Sequence, residues 1–386
     1  MQSLPYKRIS LVYFTYFSVV GILTPYWSLY LDYLAFSPSA IGMIIAIPMI
    51  TKVLAPNIWG WLADRSGRRL LVARLGAAGS LLFFSGLLFQ QPLWMFVFLI
   101  AAFSFFWNAI HAQFEVVTLN YLKDKPESYS HVRVWGSVGF ILVVLVLGFV
   151  LDRVSAASIP WFIWVFLLGI MLSSLTLPKQ DQSPSHKAMG NFLGILKNRR
   201  ILLFFLLLFL IQFSLGIYHA FFSLYMEGYG YSKTSIGLFW SLGVLAEIIL
   251  FLFVPRLLKN YSLNTLIALT LVLSFIRWII TAFFADVLLL ILLAQCLHAF
   301  TFGMTHAVAI EFVRREFGEG QQSQGQAFYN AVGFGAANAF GSIVGGYLFE
   351  VPLLAMPGQF AFCASIAIVC LAAILFMQMR RGFSRE

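Results

Sequence analysis

The chain has 386 residues, 61% of them hydrophobic and only 10% charged, with 41 Phe, 10 Trp and a mean hydropathy of +0.88. A soluble domain carries about 25% charged residues, so this composition excludes one: most of the surface has lipid rather than water to face. The net charge of +10 takes its meaning from the side of the bilayer on which the charges fall.

A spanning helix needs roughly 20 mostly apolar residues. Such segments are expected near 9–31, 38–62, 70–89, 92–121, 134–151, 159–177, 201–226, 233–254, 263–284, 287–313, 326–349 and 356–379. Twelve spans put both termini on one side. The first follows Lys7 and Arg8 but is too long, and lacks the small-residue cleavage site, to be a signal peptide. The termini side collects Arg65, Arg68, Arg69, Arg74, Lys123, Lys125, Lys179, Lys187, Arg199, Arg200, Arg256, Lys259, Arg314, Arg315, Arg380 and Arg381, among others, whereas the opposite side holds only Arg153 and Lys233. By the positive-inside rule the termini are cytoplasmic. The basic balance is then a topology signal, and no nucleic-acid partner is expected. Cys296, Cys363 and Cys370 all lie in apolar stretches without a metal-like spacing, so neither a disulfide framework nor a metal site is expected.

Residues 178–200 are the longest polar stretch. The expected organisation is two six-helix bundles, 1–178 and 201–386, joined by a cytoplasmic linker at 179–200. The halves match at a constant offset of 195: Ser28, Leu29 and Tyr30 recur as Ser223, Leu224 and Tyr225, Asp32 meets Glu227, and Ile41 and Gly42 meet Ile236 and Gly237. The same offset sets Lys52 against Glu247 and His111 against His306. Six spans separate the repeats, so they share an orientation, and a pseudo-two-fold axis along the membrane normal is expected with a shared substrate site between the halves.

Between spans 2 and 3 the chain reads Gly60-Trp61-Leu62-Ala63-Asp64-Arg65-Ser66-Gly67-Arg68-Arg69. This is similar to G-x-x-x-D-R-x-G-R-R, the cytoplasmic loop signature of the major facilitator superfamily, without a departure. The glycine is expected to let helices approach, the acid to meet a helix end, and the arginines to hold the anionic leaflet. The resemblance implies an all-α fold of two pseudo-symmetric six-helix bundles and, for Gly60, Asp64, Arg65, Gly67, Arg68 and Arg69, a latch between conformations. Tyr13-Phe14-Thr15-Tyr16-Phe17, Pro25-Tyr26-Trp27-Ser28, Val132-Arg133-Val134-Trp135, Trp240-Ser241-Leu242-Gly243 through Glu247, and Ile276-Arg277-Trp278 narrow the resemblance to the phenylpropionate permease branch, related to lactose-permease-type proton symporters. It implies proton-coupled uptake of a small organic substrate such as an aromatic acid. Sugar or nucleoside symport and proton-driven drug efflux stay open as alternatives.

Ionisable side chains inside spans call for a partner or a watery cavity. Asn108, His111 and Glu115 fall at i, i+3 and i+7, one polar stripe on span 4. Arg133 follows Glu115 by 18 residues, so the two are expected to meet across a helical hairpin and contact substrate, as an acid and an arginine do in the symporters the chain resembles. Glu247 and Arg277 lie mid-span and are expected to pair. With His298 the resemblance makes them the proton-coupling set, although the acid that follows the histidine by three residues in those symporters is Thr301 here. His298 and His306 are eight residues apart, about 80° on an α-helix. His219, Lys52, Tyr26, Trp240, His306 and Asn330 complete the substrate candidates. Glu311, beside Arg314 and Arg315, suits a gate bridge. Gly341 and Gly345 suit a close helix contact. No nucleophile-base pair or metal-binding helix is present, so no enzyme, no catalytic residue and no cofactor beyond the coupling proton are expected. The expected partners are a small-molecule substrate and the bilayer, with a monomer as the working unit.

Overall fold

The computed structural model describes residues 6–122, 129–178, 197–318, 321–351 and 357–383. Most of the linker expected at 179–200 lies outside them. Among the described residues the chain is helical, with no strand: α1 (Tyr6–Tyr33), α2 (Pro38–Ser66), α3 (Arg69–Ser85), α4 (Leu93–Tyr121), α5 (Tyr129–Leu151), α6 (Ile159–Leu175), α7 (Arg199–Gly228), α8 (Lys233–Asn260), α9 (Leu263–Phe283), α10 (Leu288–Glu316), α11 (Gln324–Glu350) and α12 (Pro357–Phe383). Eleven are long and apolar enough to cross a bilayer, and the start of α12, Pro357–Ile368, is a shorter apolar helix. Several of these helices carry ordinary start signals. Asn198 accepts from the Arg200 amide at the start of α7, Ser262 accepts from the Thr265 amide at the start of α9, and Pro160 sits in the first turn of α6.

Two helices depart from α geometry. In α10 residues Ala299–Met304 form a π turn, and in α11 residues Asn330–Ala337 form another. The expectation that His298 and His306 lie 80° apart therefore fails, because the wider turn between them resets the helical phase.

The chain divides into two compact units: residues 1–37, 43–187 and 232–237, and residues 38–42, 188–231 and 238–386. In the first, α1 packs on α5 and α6, and α3 on α4. In the second, α9 packs on α10 and α12, and α7 on α11. Small residues set the closest approaches: a Cβ on Gly21 would meet the Phe140 backbone, and one on Gly216 the backbone of Asn338. Gly21 and Gly216 stand at the repeat offset of 195, so one packing device serves both units. A Cβ on Gly341 would collide with the Phe213 carbonyl, which bears out the close contact read from Gly341 on the sequence. Each unit also turns large apolar side chains outward, among them Leu82 and Leu252 at 68% and 73% exposed, as lipid-facing helices do.

Carboxylates finish both units. At the end of α5 Asp152 accepts from the backbone amides of Lys233 (2.7 Å) and Thr234 (3.1 Å) and from the Thr234 hydroxyl (2.5 Å), all in the first unit. In the second unit Glu350, at the end of α11, accepts from the Ser39 amide at 3.0 Å.

Candidate functional site

Each unit holds one polar cluster. In the first, the stripe on α4 is present. Asn108 is buried and donates to the Thr51 hydroxyl (3.0 Å) and the Pro48 carbonyl (3.4 Å), which joins α4 to α2. His111 lies among the rings of Tyr13, Tyr16 and Phe17, and its Nε2 makes no hydrogen bond. Tyr16 stacks on Trp107 with centroids 4.3 Å apart and planes 5° off parallel. Lys52, midway along α2, is exposed, and together with Glu115 and Arg133 it acts electrostatically on His111.

The expected bridge between Glu115 and Arg133 does not form. Glu115 accepts from the Tyr129 hydroxyl at 2.8 Å, and the Arg133 guanidinium lies over the Phe17 ring, 4.0 Å from its centroid. Tyr129 stands four residues before Arg133, on the same face of α5, and reaches the carboxylate first. Tyr26 is also corrected: it is fully buried and donates to the Val144 carbonyl at 2.6 Å, a packing contact of α1 with α5.

The second cluster sits on α7 to α11. Here the expected pair of Glu247 with Arg277 is replaced by one between Glu247 and His298, whose Nε2 is 2.9 Å from the carboxylate. Arg277 is fully buried. Its guanidinium carbon lies 4.3 Å from the centroids of both Tyr218 and Trp278, two rings that are themselves 5.8 Å apart and so meet it from different sides of one corner, and none of its nitrogens makes a hydrogen bond of proper geometry. The Tyr218 hydroxyl donates to Gln295 Oε1 at 2.7 Å. His219 Nδ1 is 3.1 Å from Asn338 Oδ1, and Asn338 donates in turn to Gln212 Oε1 at 3.2 Å. Trp240 donates to the Ser223 hydroxyl at 3.0 Å, with its ring 4.8 Å from that of Tyr218. Ser274 donates to the Thr301 hydroxyl at 3.0 Å, so Thr301 serves α9–α10 packing. His306 is 3.2 Å from the Tyr329 hydroxyl. Asn330 is exposed at the start of its π turn, and it is Asn338 that enters the amide network.

In the loop motif, Asp64 forms an ion pair with Arg69, which also donates to Gln113 Oε1 at 3.0 Å and so ties the loop to α4. Gly67 has φ +64°, the left-handed conformation a turn there requires. Arg65 lies over Trp61, and Arg68 is exposed. Gly60 departs from expectation: an added Cβ would meet nothing within 4 Å, so it is no close-approach glycine. Glu311 is bonded by Arg314 and Arg315 on its own helix at 2.7 and 2.6 Å. Among the described residues no group of His, Cys, Asp or Glu is arranged to hold a metal ion.

Sequence reasoning missed Tyr129, Tyr16 with Trp107, Tyr218 and Gln295. Only Tyr129, one turn from Arg133, gave a usable signal.

The model of the MFS_1 like family matches residues 6–357. The chain belongs to that family. A relative named as a probable 3-phenylpropionic acid transporter of Escherichia coli is 25% identical over 367 residues, 92% of this chain and 96% of that relative. A maltose permease of Geobacillus stearothermophilus is 29% identical over 345 residues, 88% and 86% of the two chains. The crystal structure of the nucleoside transporter NupG superposes with a TM-score of 0.86 at 17% identity, covering 96% of this chain and 98% of that one. Membership makes the protein a multi-pass secondary transporter of the major facilitator fold and not an enzyme.

Proposed function

We propose that the protein is a proton-coupled symporter that takes up a small organic acid with an aromatic body, of the 3-phenylpropionate type, by alternating access. The observation that carries this reading is the Glu247–His298 pair, 2.9 Å apart inside the second unit. A carboxylate and an imidazole in contact hold one dissociable proton between them, and a change in their distance or hydration releases it. In the first unit Arg133 on Phe17, the exposed Lys52, and the Tyr16–Trp107 stack supply cations beside ring surface, the chemistry that suits a carboxylate on an aromatic body. The likeness to the phenylpropionic acid relative supports the same class. Coupling needs only that proton and substrate favour the same conformational change.

A sugar or nucleoside is the second reading. It is favoured by the His219–Asn338–Gln212 hydrogen-bond network, which suits hydroxyls, and by the maltose and nucleoside relatives. Drug efflux is told apart by direction, since an inward proton gradient then expels the ligand. The reading places the protein in a bacterial inner membrane, and the sorting of lysines and arginines supports cytoplasmic termini. The working unit in this reading is a monomer, with protons in place of any cofactor.

The test is proton uptake into proteoliposomes on addition of phenylpropionate-like acids, sugars or nucleosides. External alkalinisation is expected with the aromatic acids and is lost in Glu247→Gln, which still binds substrate. Proton movement with a sugar alone moves the second reading ahead; movement with none removes symport.

A further inference from the structure

The interior of the second unit holds hydrogen-bond donors in surplus. Arg277 is 0% exposed, yet Nε and both terminal nitrogens lack an acceptor. Gln295 is also 0% exposed, and its Nε2 is likewise unpartnered because its Oε1 is taken by Tyr218. Glu247 turns its Oε1 to His298 and makes no ion pair with Arg277. Tyr218 is the hub of this cluster, with the guanidinium 4.3 Å over its ring, its hydroxyl on Gln295 and the His298 ring centroid 5.4 Å away. The faces of two rings meeting at a corner attract the cation but supply no lone-pair acceptor to its N–H groups, and all three nitrogens stay without a hydrogen bond. A buried cation with its donors free asks for an anionic acceptor.

The His298 ring adds a link to protons. Its Nδ1 is buried and unpartnered. With Glu247 ionised and His298 neutral, the hydrogen sits on Nε2 and Nδ1 is a bare acceptor. One added proton leaves either a Glu247 acid donating to Nε2 or a doubly protonated ring, and in both forms Nδ1 carries a hydrogen. Loading the pair thus turns an acceptor into a donor and raises the charge of the cluster by one. The groups facing Arg277 are Tyr218, Glu247 and Cys363, and those facing His298 are Glu247, Arg277, His219 and Tyr218.

We infer that Arg277, with Gln295 and the Tyr218 and Trp278 rings, binds one monovalent anion, and that it does so together with one proton on the Glu247–His298 pair. The anion is either a free inorganic ion or the carboxylate of the transported acid. The inference rests on the proton pair proposed above and adds to it a ligand and a stoichiometry.

The probe is sodium chloride, added to the purified full-length protein in detergent against sodium gluconate at constant ionic strength, with chlorine NMR line broadening and proton uptake read together. Saturable broadening with one proton absorbed per bound chloride is expected. Arg277→Gln weakens binding at least about tenfold, the scale of one lost charge-assisted hydrogen bond. Should that variant unfold, Gln295→Glu decides: it keeps the acceptor for Tyr218, sets its own carboxylate in place of the orphan donor, and is expected to remain folded and bind no chloride. Glu247→Gln keeps chloride binding and loses proton uptake. Broadening that is absent in the wild type, unaccompanied by proton uptake in the wild type, or unchanged in folded Arg277→Gln and Gln295→Glu overturns the inference; in Glu247→Gln the neutral amide stands in for the protonated acid, so binding without uptake is the expected result there. Competition by 3-phenylpropionate assigns the anion to the substrate carboxylate; its failure to compete assigns it to an inorganic ion, and both support the site. Proton-coupled uptake in liposomes by a protein that binds no chloride sinks this inference alone, and leaves the symport reading standing.

Discussion

Arg133 and Arg277 share a solution to the cost of a guanidinium within a membrane span. Each lies on aromatic rings rather than on an acid. Such stacking contributes about 0.5–2 kcal/mol, well short of a paired and fully hydrogen-bonded arginine, so both cations keep unspent hydrogen-bonding capacity. In the symport reading, Arg133→Lys loses the planar stack and the two-pronged grip on a carboxylate. The expected result is a KM for uptake about tenfold higher, the scale of one charge-assisted contact, with a small fall in melting temperature from the lost stack. A variant with unchanged KM takes Arg133 out of the substrate contacts. The sequence revealed which side chains are charged mid-span, because each is conspicuous against 61% hydrophobic residues. It did not reveal their partners. Glu247 prefers His298 to Arg277, and Glu115 prefers Tyr129 to Arg133, because a pairing depends on rotamers and on which helices are neighbours, neither of which has a linear signature.

At the scale of the helices, length and apolarity made the spans legible, and the repeat at offset 195 made legible the packing device that Gly21 and Gly216 share. The π turns were not, since a widened turn leaves the apolar pattern on either side intact. Glycines separate the two kinds of knowledge well. Gly341 read correctly as a contact residue, whereas Gly60 did not, because a sequence shows that a side chain is missing but not what stands opposite. Gly341→Ala drives a methyl into the Phe213 carbonyl and is expected to destabilise by about 1–3 kcal/mol, as overpacking does. Gly60→Ala meets open space inside α2 and is expected to be neutral or to stabilise by up to about 1 kcal/mol from helix propensity. Thermal unfolding of the two variants side by side checks both expectations, and equal melting temperatures contradict them.

For the molecule as a whole, Asp152 gives a pH signature. Burial, the largest single influence on it, pushes its carboxyl up, but the hydrogen bonds from Thr234 and Lys233 together outweigh this and hold it below the ordinary value. A group depressed in the folded state stabilises above its unfolded pKa, and the contribution disappears as pH falls through the folded one. The difference in melting temperature between the wild type and Asp152→Asn is therefore expected to be constant above about pH 5 and to shrink from about pH 4 downward. A difference that does not vary with pH means that the carboxylate charge is idle. Orientation is tested separately. With the native cysteines replaced, Lys187→Cys is expected to react with an impermeant maleimide in inverted vesicles and not in right-side-out ones, as the distribution of lysines and arginines requires.

The π turn of α10 has a bearing on which changes of chain length the protein tolerates. A π turn holds about one residue more than the α turn it replaces, so Ala299–Met304 behaves as an insertion already absorbed by a spanning helix. Deleting one residue there restores a continuous α-helix, while the same deletion elsewhere in a span turns everything beyond it by about 100° and sends apolar and polar faces to the wrong side. Natural length variation inside the spans of this lineage is expected to collect at 299–304 and 330–337, a pattern that a comparison of related genomes would reveal.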